Sequence, residues 1–326
     1  MIISRTPFRI SFAGGGTDLK EYYSHGYGAV TSVTIDKYIY ITVNKRFDDS
    51  IRLSYSKTEI VDDVEDIQHN IVRECLKLTG IDKGIEITSI ADIPSGTGLG
   101  SSSSFTVGLL NALYTYKGEQ KSSDFLAAKA CEIEIGTLKE PIGKQDQYAA
   151  AFGGVNYFRF QSDETVLHEP VYLDPHALKL LNKKLLLFYT GMTRSASEIL
   201  SGQKQETPHK LSFLQKMRDQ ADELKNALQT EGINRRFGEI LHEGWLNKKQ
   251  LTKMISSSLI DEYYYKAREA GAVGGKILGA GGGGFLLFYC DEENQQSVRQ
   301  ALQELREIDF SISKHGSRII HLGDES

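Results

Sequence analysis

The stretch that most constrains this chain is a run rich in glycine and serine that meets an apolar segment. The run is Pro94 to Ser104, read as PSGTGLGSSSS, with three glycines at alternate positions. The apolar residues after it, from Phe105 to Tyr116, predict a buried helix that starts near Ser101 and has a serine as its cap. Glycine lets a backbone approach a ligand closely, and the free N–H groups of a helix start attract anions. The pattern therefore predicts a phosphate-binding loop.

Other interpretations of this run fit the sequence less well. The P-loop pattern of Gly, four residues, Gly, Lys and Ser or Thr does not occur in the chain. The spacing of Gly279, Gly281 and Gly284 matches a dinucleotide-binding motif, but residues 285–289 favour a strand where that motif needs a helix. A flexible linker is seldom followed at once by an apolar helix, and a serine nucleophile lacks the Gly-x-Ser-x-Gly motif.

Composition narrows the class of protein. The chain has 326 residues, 40% of them hydrophobic and 25% charged, which is typical of a globular protein with one or two domains. A net charge of -5 argues against nucleic acid as a partner. The three cysteines lack the spacing of a disulfide framework or a zinc site, which favours a reducing compartment. No secretion signal or membrane-spanning apolar run is recognisable, so we expect a cytoplasmic protein.

Two further polar segments are suited to ligand contact. A predicted strand from Ile2 to Ser11 leads into a glycine turn that ends with Thr17 and Asp18. The segment from Gly143 to Tyr148, GKQDQY, places a cation, an acid and two amides in a short turn. Glu132 and Glu134 lie on a predicted helix over 123–139, and residues two apart on a helix point in different directions. At most one of these glutamates is therefore expected to face a shared site.

The order of predicted elements favours an α+β fold. Strands are predicted at 2–11, 38–43, 84–89, 155–160, 166–172, 184–189, 274–278, 285–290 and 317–322. Helices are predicted at 66–78, from 101 to 116, at 123–139, through most of 195–270 and at 292–308. The boundary between two domains is expected near residue 180.

Three segments together resemble the galactokinase, homoserine kinase, mevalonate kinase and phosphomevalonate kinase (GHMP kinase) superfamily. They are Thr6 to Arg9 with Gly14 to Asp18, then Pro94 to Ser104, and finally Lys276 to Gly284. The resemblance covers essentially the whole chain. It implies an ATP- and Mg²⁺-dependent kinase with an N-terminal domain, 1–180, like domain 2 of ribosomal protein S5. It also implies a ferredoxin-like C-terminal domain, 181–326, with the ATP and acceptor site between the two.

The first motif bears on the acceptor. Galactokinases carry Gly-Glu-His-Thr-Asp where this chain has Gly-Gly-Gly-Thr-Asp at 14–18, which argues against galactose. The triple glycine, together with the segments from Gly143 to Tyr148 and from Tyr189 to Arg194, is similar to the D-glycero-D-manno-heptose 7-phosphate kinases. That resemblance implies phosphorylation of the anomeric C1 hydroxyl in the synthesis of nucleotide-activated heptose for surface glycans, by a cytoplasmic bacterial enzyme that could be a homodimer. Fucokinases share part of the pattern, and a nucleotide-binding regulator without turnover is the alternative from another class.

The resemblance assigns roles to individual residues. Asp146 matches the catalytic aspartate and Arg9 the arginine beside the transferred phosphate; the alternative for Asp146 is a helix cap. The acceptor contacts are Thr17, Asp18, Lys144 and Arg194, and Arg9 and Lys144 are the cations expected beside Asp146. The ATP contacts are Pro94, Gly96, Gly98, Leu99, Gly100, Ser101, Ser102 and Ser103, and the third motif contributes Gly281, Gly282 and Gly283. The metal ligands are Ser102 and Glu134, with Glu132 and the neighbouring serines left open.

Overall fold

The structure, a computed structural model, describes residues 1–192 and 196–323. The strands are β1 (Ile2–Ala13), β2 (Tyr27–Lys45), β3 (Ile51–Ser54), β4 (Thr58–Val61), β5 (Ile85–Ala91), β6 (Val155–Gln161), β7 (Val166–Pro170), β8 (Leu185–Tyr189), β9 (Gly274–Ile277), β10 (Phe285–Tyr289), β11 (Arg306–Glu307) and β12 (Arg318–Leu322). The helices are α1 (Lys20–Tyr23), α2 (Asn70–Thr79), α3 (Ser101–Tyr116), α4 (Ser123–Cys131), α5 (Gln145–Phe152), α6 (Pro175–Lys184), α7 (Ala196–Glu206), α8 (Leu211–Thr230), α9 (Arg235–Lys249), α10 (Ser258–Glu269) and α11 (Gln295–Ala301).

The larger sheet is built around the long strand β2. Its strand order is β12-β1-β2-β5-β3-β4, with β6 paired to β2 and β7 paired to β6. Helix α3 lies against β1 and is tied to it at two points. The Ser104 hydroxyl donates to the Pro7 carbonyl over 2.9 Å, and the Ser4 hydroxyl donates to the Gly108 carbonyl over 2.8 Å. These bonds hold the first half of α3 against the first half of β1, and the glycine loop before α3 lies beside Arg9, whose N–H donates to the Leu99 carbonyl over 3.0 Å.

The smaller sheet has the strand order β11-β8-β10-β9, and every neighbouring pair is antiparallel. Helices α7 to α10 connect β8 to β9, and α11 lies between β10 and β11. In chain order this sheet reads fourth, first, third, second, which is the ferredoxin-like arrangement. The expected α+β fold, with two sheets that each have helices packed against them, is confirmed.

Several predicted elements differ from the observed ones. The helix predicted over 292–308 ends at Ala301, and its last residues form the short edge strand β11. The helix predicted over 123–139 changes at Glu132 into a π-helix, Glu132–Thr137. The cap of α3 is Gly100 and not a serine. The last strand, β12, pairs with β1, so the chain returns to the larger sheet near its C-terminal end. The domain boundary near residue 180 stays a prediction.

Two expectations drawn from composition can be compared with the described residues. In residues 1–192 and 196–323, none of the helices has the length and apolar character needed to cross a membrane. Cys75, Cys131 and Cys290 are all buried free thiols, in agreement with the predicted lack of a disulfide framework.

Candidate active site

A cavity of about 360 Å³ lies where the two sheets and the glycine segments meet. It is lined by residues from all three segments that carried the family resemblance and from helices α5, α7 and α9. From the first segment come Arg9, Gly15, Gly16 and Asp18; from the second, Ser95, Gly96, Gly98, Gly100, Ser101, Ser102 and Ser103; from the third, Lys276, Leu278, Gly279, Ala280, Gly281 and Gly283. Segments far apart in sequence therefore share one concave surface.

The glycine loop leaves the start of α3 open to this cavity. Gly100, at φ +74, is the residue before the helix, and no side chain caps the first turn. The unpaired N–H groups and the positive end of the helix dipole then face the cavity, an arrangement that favours a phosphate. Gly98 packs against the third motif, because a Cβ built there would lie 2.6 Å from the Leu278 carbonyl oxygen. Glycine at 98 is thus required by contact between the two motifs.

Arg9 and Asp146 form a two-point ion pair at the floor of the cavity. Arg9 Nε and Nη2 donate to Asp146 Oδ1 and Oδ2 over 2.7 and 2.8 Å. Arg9 Nη1 also donates to the Gly98 carbonyl over 2.7 Å, which ties the pair to the glycine loop. Asp146 lies in the first turn of α5, but both of its oxygens are taken by Arg9 and the residue before the helix is Lys144. The structure therefore does not place Asp146 as the helix cap.

The triple-glycine turn is held by the two polar residues at its end. Asp18 Oδ1 accepts from the Gly16 N–H over 2.8 Å, and its Oδ2 accepts from the N–H of Gln145 over 3.2 Å. Burial, together with the negative charge of Asp146, raises the pKa of Asp18 above its ordinary value. Thr17 is fully buried and bonds only to backbone groups of Gly14 and Ala29. Asp18 therefore lines the cavity, whereas Thr17 stabilises the turn from behind.

The structure distinguishes Glu134 from Glu132, the two glutamates that the sequence left as alternative metal ligands. Glu134 is buried; its Oε1 accepts from the Ser102 hydroxyl over 2.8 Å and its Oε2 from Gln147 Nε2 over 2.7 Å. Burial raises the pKa of Glu134 to about 7. Glu132 is exposed and pairs with Lys129. The π-helix directs Glu134 towards Ser102 and the cavity, in line with the frequent occurrence of such turns at functional sites.

Two buried lysines line the cavity that the sequence analysis did not select. Lys248 on α9 donates to the Gly279 carbonyl, and Lys276 donates to the Phe12 carbonyl over 3.0 Å. Burial, reinforced by the charge of Arg9, lowers the pKa of Lys248 to about 8. The sequence contains one pattern from which the burial of Lys248 could have been predicted. Leu241, Trp245 and Lys248 are four and three residues apart, so the lysine continues the buried stripe of α9.

Some predicted site residues do not line the cavity. Lys144 is bound to Glu164, donating to both its carboxylate and its carbonyl, and it does not line the cavity that Asp146 faces. Pro94 is exposed, Leu99 is buried in the core, and Gly282 bonds through its N–H to the Ile255 carbonyl. Arg194 lies outside the described residues. Apart from Thr17 and Glu132, described above, the remaining predicted residues line the cavity.

Known proteins resemble this chain along its full length. The family model for the GHMP kinases N terminal domain matches residues 68–154, and that for the GHMP kinases C terminal matches 224–307. The chain is 30% identical to a D-glycero-alpha-D-manno-heptose 7-phosphate kinase of Campylobacter jejuni over 97% of both proteins. It is 28% identical to a galactokinase of Pyrococcus furiosus over 92% of both.

A solved structure shares the whole fold. It is the crystal structure of a D-glycero-D-manno-heptose 1-phosphate kinase from Bacteroides thetaiotaomicron, at a TM-score of 0.82 and 25% identity. The match covers 99% of this chain and all of that one. With the family models and the full-length relatives, these findings confirm the resemblance carried by the three glycine-containing motifs. The chain belongs to the GHMP kinase family and is an ATP-dependent sugar kinase.

Proposed function

We propose that this kinase transfers the γ-phosphoryl group of ATP to the anomeric C1 hydroxyl of D-glycero-D-manno-heptose 7-phosphate, in the synthesis of nucleotide-activated heptose. The product is the 1,7-bisphosphate. The observation that carries the catalytic part is the Arg9–Asp146 pair, which joins the glycine loop before α3 to α5, whose first residue Gln145 bonds to Asp18 of the Gly15–Asp18 turn. The heptose acceptor is supported by the full-length similarity to the Campylobacter jejuni enzyme.

On the donor side, the triphosphate would lie over the loop from Gly96 to Ser103, against the N–H groups of α3. Ser102 and Glu134 would hold Mg²⁺, since one carboxylate and one hydroxyl in contact suit an ion that takes its other ligands from phosphate and water. In the described residues no group of three acidic, histidine or cysteine side chains could bind a metal by itself. When bound, the ion would neutralise charge on the phosphates.

The nucleoside would extend along α3 to a small apolar cleft. This cleft is lined by Tyr55, His69 and Phe105, and Phe105 lies two residues beyond Ser103 on the same helix. The rings of His69 and Phe105 are stacked with centroids 5.0 Å apart. Flat aromatic surfaces close to the phosphate loop are suited to a purine ring, which would enter this cleft of about 10 Å³ only if the surrounding side chains moved apart.

On the acceptor side, the sugar would rest on the Gly15–Asp18 turn with its reacting hydroxyl at Asp146. The hydroxyl oxygen forms a bond to the γ-phosphorus while the bond to the leaving ADP oxygen breaks, and the hydroxyl proton passes to the Asp146 carboxylate. Arg9 orients that carboxylate and places its guanidinium beside the charge on the phosphoryl group. Below about pH 8 Lys248 adds buried positive charge to the same cavity. Lys276 also lines it, and burial together with the charge of Lys248 lowers its pKa well below the ordinary value.

An acceptor panel tests the proposed function. Purified enzyme with MgATP is assayed by coupled ADP release against the heptose 7-phosphate, the unphosphorylated heptose, L-fucose and D-galactose. We expect the highest kcat/KM with the heptose 7-phosphate, and the position of the new phosphate is read by NMR. Preference for L-fucose would replace this proposal with a fucokinase activity. Equal use of both heptoses would contradict recognition of the 7-phosphate.

A further inference from the structure

Three side chains at the cavity carry buried polar atoms that have no hydrogen-bond partner in the described part of the chain. They are the hydroxyl of Ser11, the amide oxygen Oε1 of Gln145 and the amide nitrogen Nε2 of Gln203. The side chains of Ser11 and Gln203 are only 5% and 2% exposed. A buried polar atom loses its hydrogen bonds to water, and the free-energy cost is not offset unless another group hydrogen-bonds to it. Three such atoms at one cavity therefore indicate a polar ligand.

The three atoms converge on the triple-glycine turn from different elements. A Cβ built at Gly15 would lie 3.3 Å from Ser11 Oγ and 3.9 Å from Gln145 Oε1. A Cβ built at Gly16 would lie 2.5 Å from Gln203 Nε2. Ser11 belongs to β1, Gln145 to α5 and Gln203 to α7. The glycines therefore let these polar groups approach the turn closely, and all three groups also line the cavity.

The chemistry of the three atoms selects the kind of ligand. Gln145 Nε2 donates to Asp18 Oδ1 over 3.2 Å, which leaves Gln145 Oε1 free as an acceptor. Gln203 Nε2 can only donate, and the Ser11 hydroxyl can do both. An anion would be repelled by Oε1 and by the Asp18 carboxylate, and a cation would meet the Gln203 amino group. A neutral hydroxyl, which donates and accepts at once, matches all three.

We propose that Ser11, Gln145 and Gln203 form a specificity subsite that recognises neighbouring hydroxyl groups of the acceptor sugar ring. The subsite rests on the proposed function in so far as the acceptor is a sugar. It does not depend on which sugar is used. The acceptor's own phosphate would lie elsewhere in the cavity, away from the Asp18 carboxylate.

Matched serine and glutamine variants test this subsite. Ser11→Ala and Gln203→Met remove the unpaired atoms with little change of volume. Ser32→Ala is the serine control, because Ser32 pairs with Ser11 across β1 and β2 and also has a buried unpartnered hydroxyl, but does not line the cavity. Gln220→Met is the glutamine control, because Gln220 is buried on α8 away from the cavity.

Acceptor KM, ATP KM and the melting temperature without ligand are measured for each variant. We expect the two cavity variants to raise the acceptor KM about tenfold, the scale of one lost hydrogen bond to a buried group. The ATP KM should stay constant, and the melting temperature should stay equal or rise, because an unpaired polar atom is removed. The controls should leave both KM values unchanged.

The outcomes separate the subsite from the proposed function. The probes are D-glycero-D-manno-heptose 7-phosphate, L-fucose and D-galactose. If wild-type enzyme prefers L-fucose, the proposed function fails, and the subsite is judged by the KM for L-fucose. Unchanged acceptor KM in both cavity variants would overturn the subsite, as would a fall in melting temperature without a change in KM. A wild-type enzyme that uses none of the three sugars would contradict the proposed function, and the subsite would be overturned as well if none of the three raised the melting temperature of wild type more than that of Ser11→Ala.

Discussion

Arg9 and Asp146 lie 137 residues apart in sequence and are joined by two hydrogen bonds of 2.7 and 2.8 Å. Both residues line the cavity, and at 23% exposed against 4% for Arg9 the Asp146 carboxylate is the more accessible partner. The guanidinium fixes the orientation of the carboxylate plane, which matters in a reaction where positioning and electrostatics supply most of the catalysis. The pair therefore links the glycine loop before α3 to α5, whose Gln145 bonds to Asp18, and it holds the carboxylate that we propose as the proton acceptor.

We expect Asp146→Asn to lower kcat by about 10²- to 10⁴-fold with little change in ATP KM, because the variant loses the proton acceptor and the charge. Its melting temperature should fall slightly, because buried Arg9 keeps only part of its partner. The control is Glu307→Gln, since Glu307 forms a similar two-point pair with Arg299 away from the cavity. Steady-state kinetics with near-normal kcat for Asp146→Asn would remove this residue from the mechanism.

Glu134→Gln should increase the Mg²⁺ concentration needed for half-maximal rate by at least about tenfold, because the variant lacks the ionised oxygen that a hard cation prefers. The fold should tolerate the new amide, since the Gln147 amide oxygen has no partner and can accept from it after a flip. Glu132→Gln is the matched control on the exposed side of the same π-helix. A magnesium titration with equal midpoints for the two variants would assign the metal elsewhere.

Gly98→Ala should destabilise the enzyme and raise its ATP KM, because the new Cβ would lie 2.6 Å from the Leu278 carbonyl oxygen at a positive φ of +85. Gly118→Ala is the control, with a similar φ of +76 and no atom within 4 Å of the new Cβ. The control should show only the backbone strain, on the order of 1–2 kcal/mol. Equal thermal unfolding curves and equal ATP KM values would show that contact between the two glycine motifs is unimportant.

Lys248 should make activity fall as pH rises through about 8, because its ammonium group loses its proton near that pH and the cavity loses positive charge. In Lys248→Met this limb of the kcat/KM profile should be absent. Folding stability should change with pH in the opposite direction, because the free energy of unfolding rises above pH 8 as the buried lysine loses its charge. The folded lysine binds protons more weakly than the unfolded one, whose pKa is near 10.5, so burying the charge costs most below pH 8.

Lys248→Met should therefore unfold at a higher temperature than wild type at pH 7, by a free energy on the order of 1–3 kcal/mol. The difference should shrink between pH 8 and 10.5. Lys249→Met serves as the control, because Lys249 is the next residue on α9 and pairs with Asp261 outside the cavity. If kcat/KM and melting temperature had the same pH dependence in Lys248→Met and in wild type, the assignment of a positive charge to Lys248 below about pH 8 would be contradicted.

The glycine motifs could be predicted from sequence because their backbone requirements are local. Positive φ at Gly96, Gly98 and Gly100 and an apolar segment after them define a loop and a helix start wherever the rest of the chain lies. The same holds for most strands, including β6 and β10, whose alternation or apolar runs match the observed bounds closely. The family, the α+β fold and the kinase activity follow from these local patterns taken together.

Only the tertiary structure decided which polar side chains meet. Glu134 was separated from Glu132 by a π-helix, which no periodicity in the sequence reveals. Lys144 pairs with Glu164, twenty residues further along the chain, whereas Asp146 pairs with Arg9. Gln203 reaches the Gly15–Asp18 turn only because α7, which follows β8 in the chain, packs against that turn. Charge and hydrogen-bond partners depend on distances in space, so the sequence determined the loops and elements of this kinase, and the packing of distant segments decided the contacts of its site.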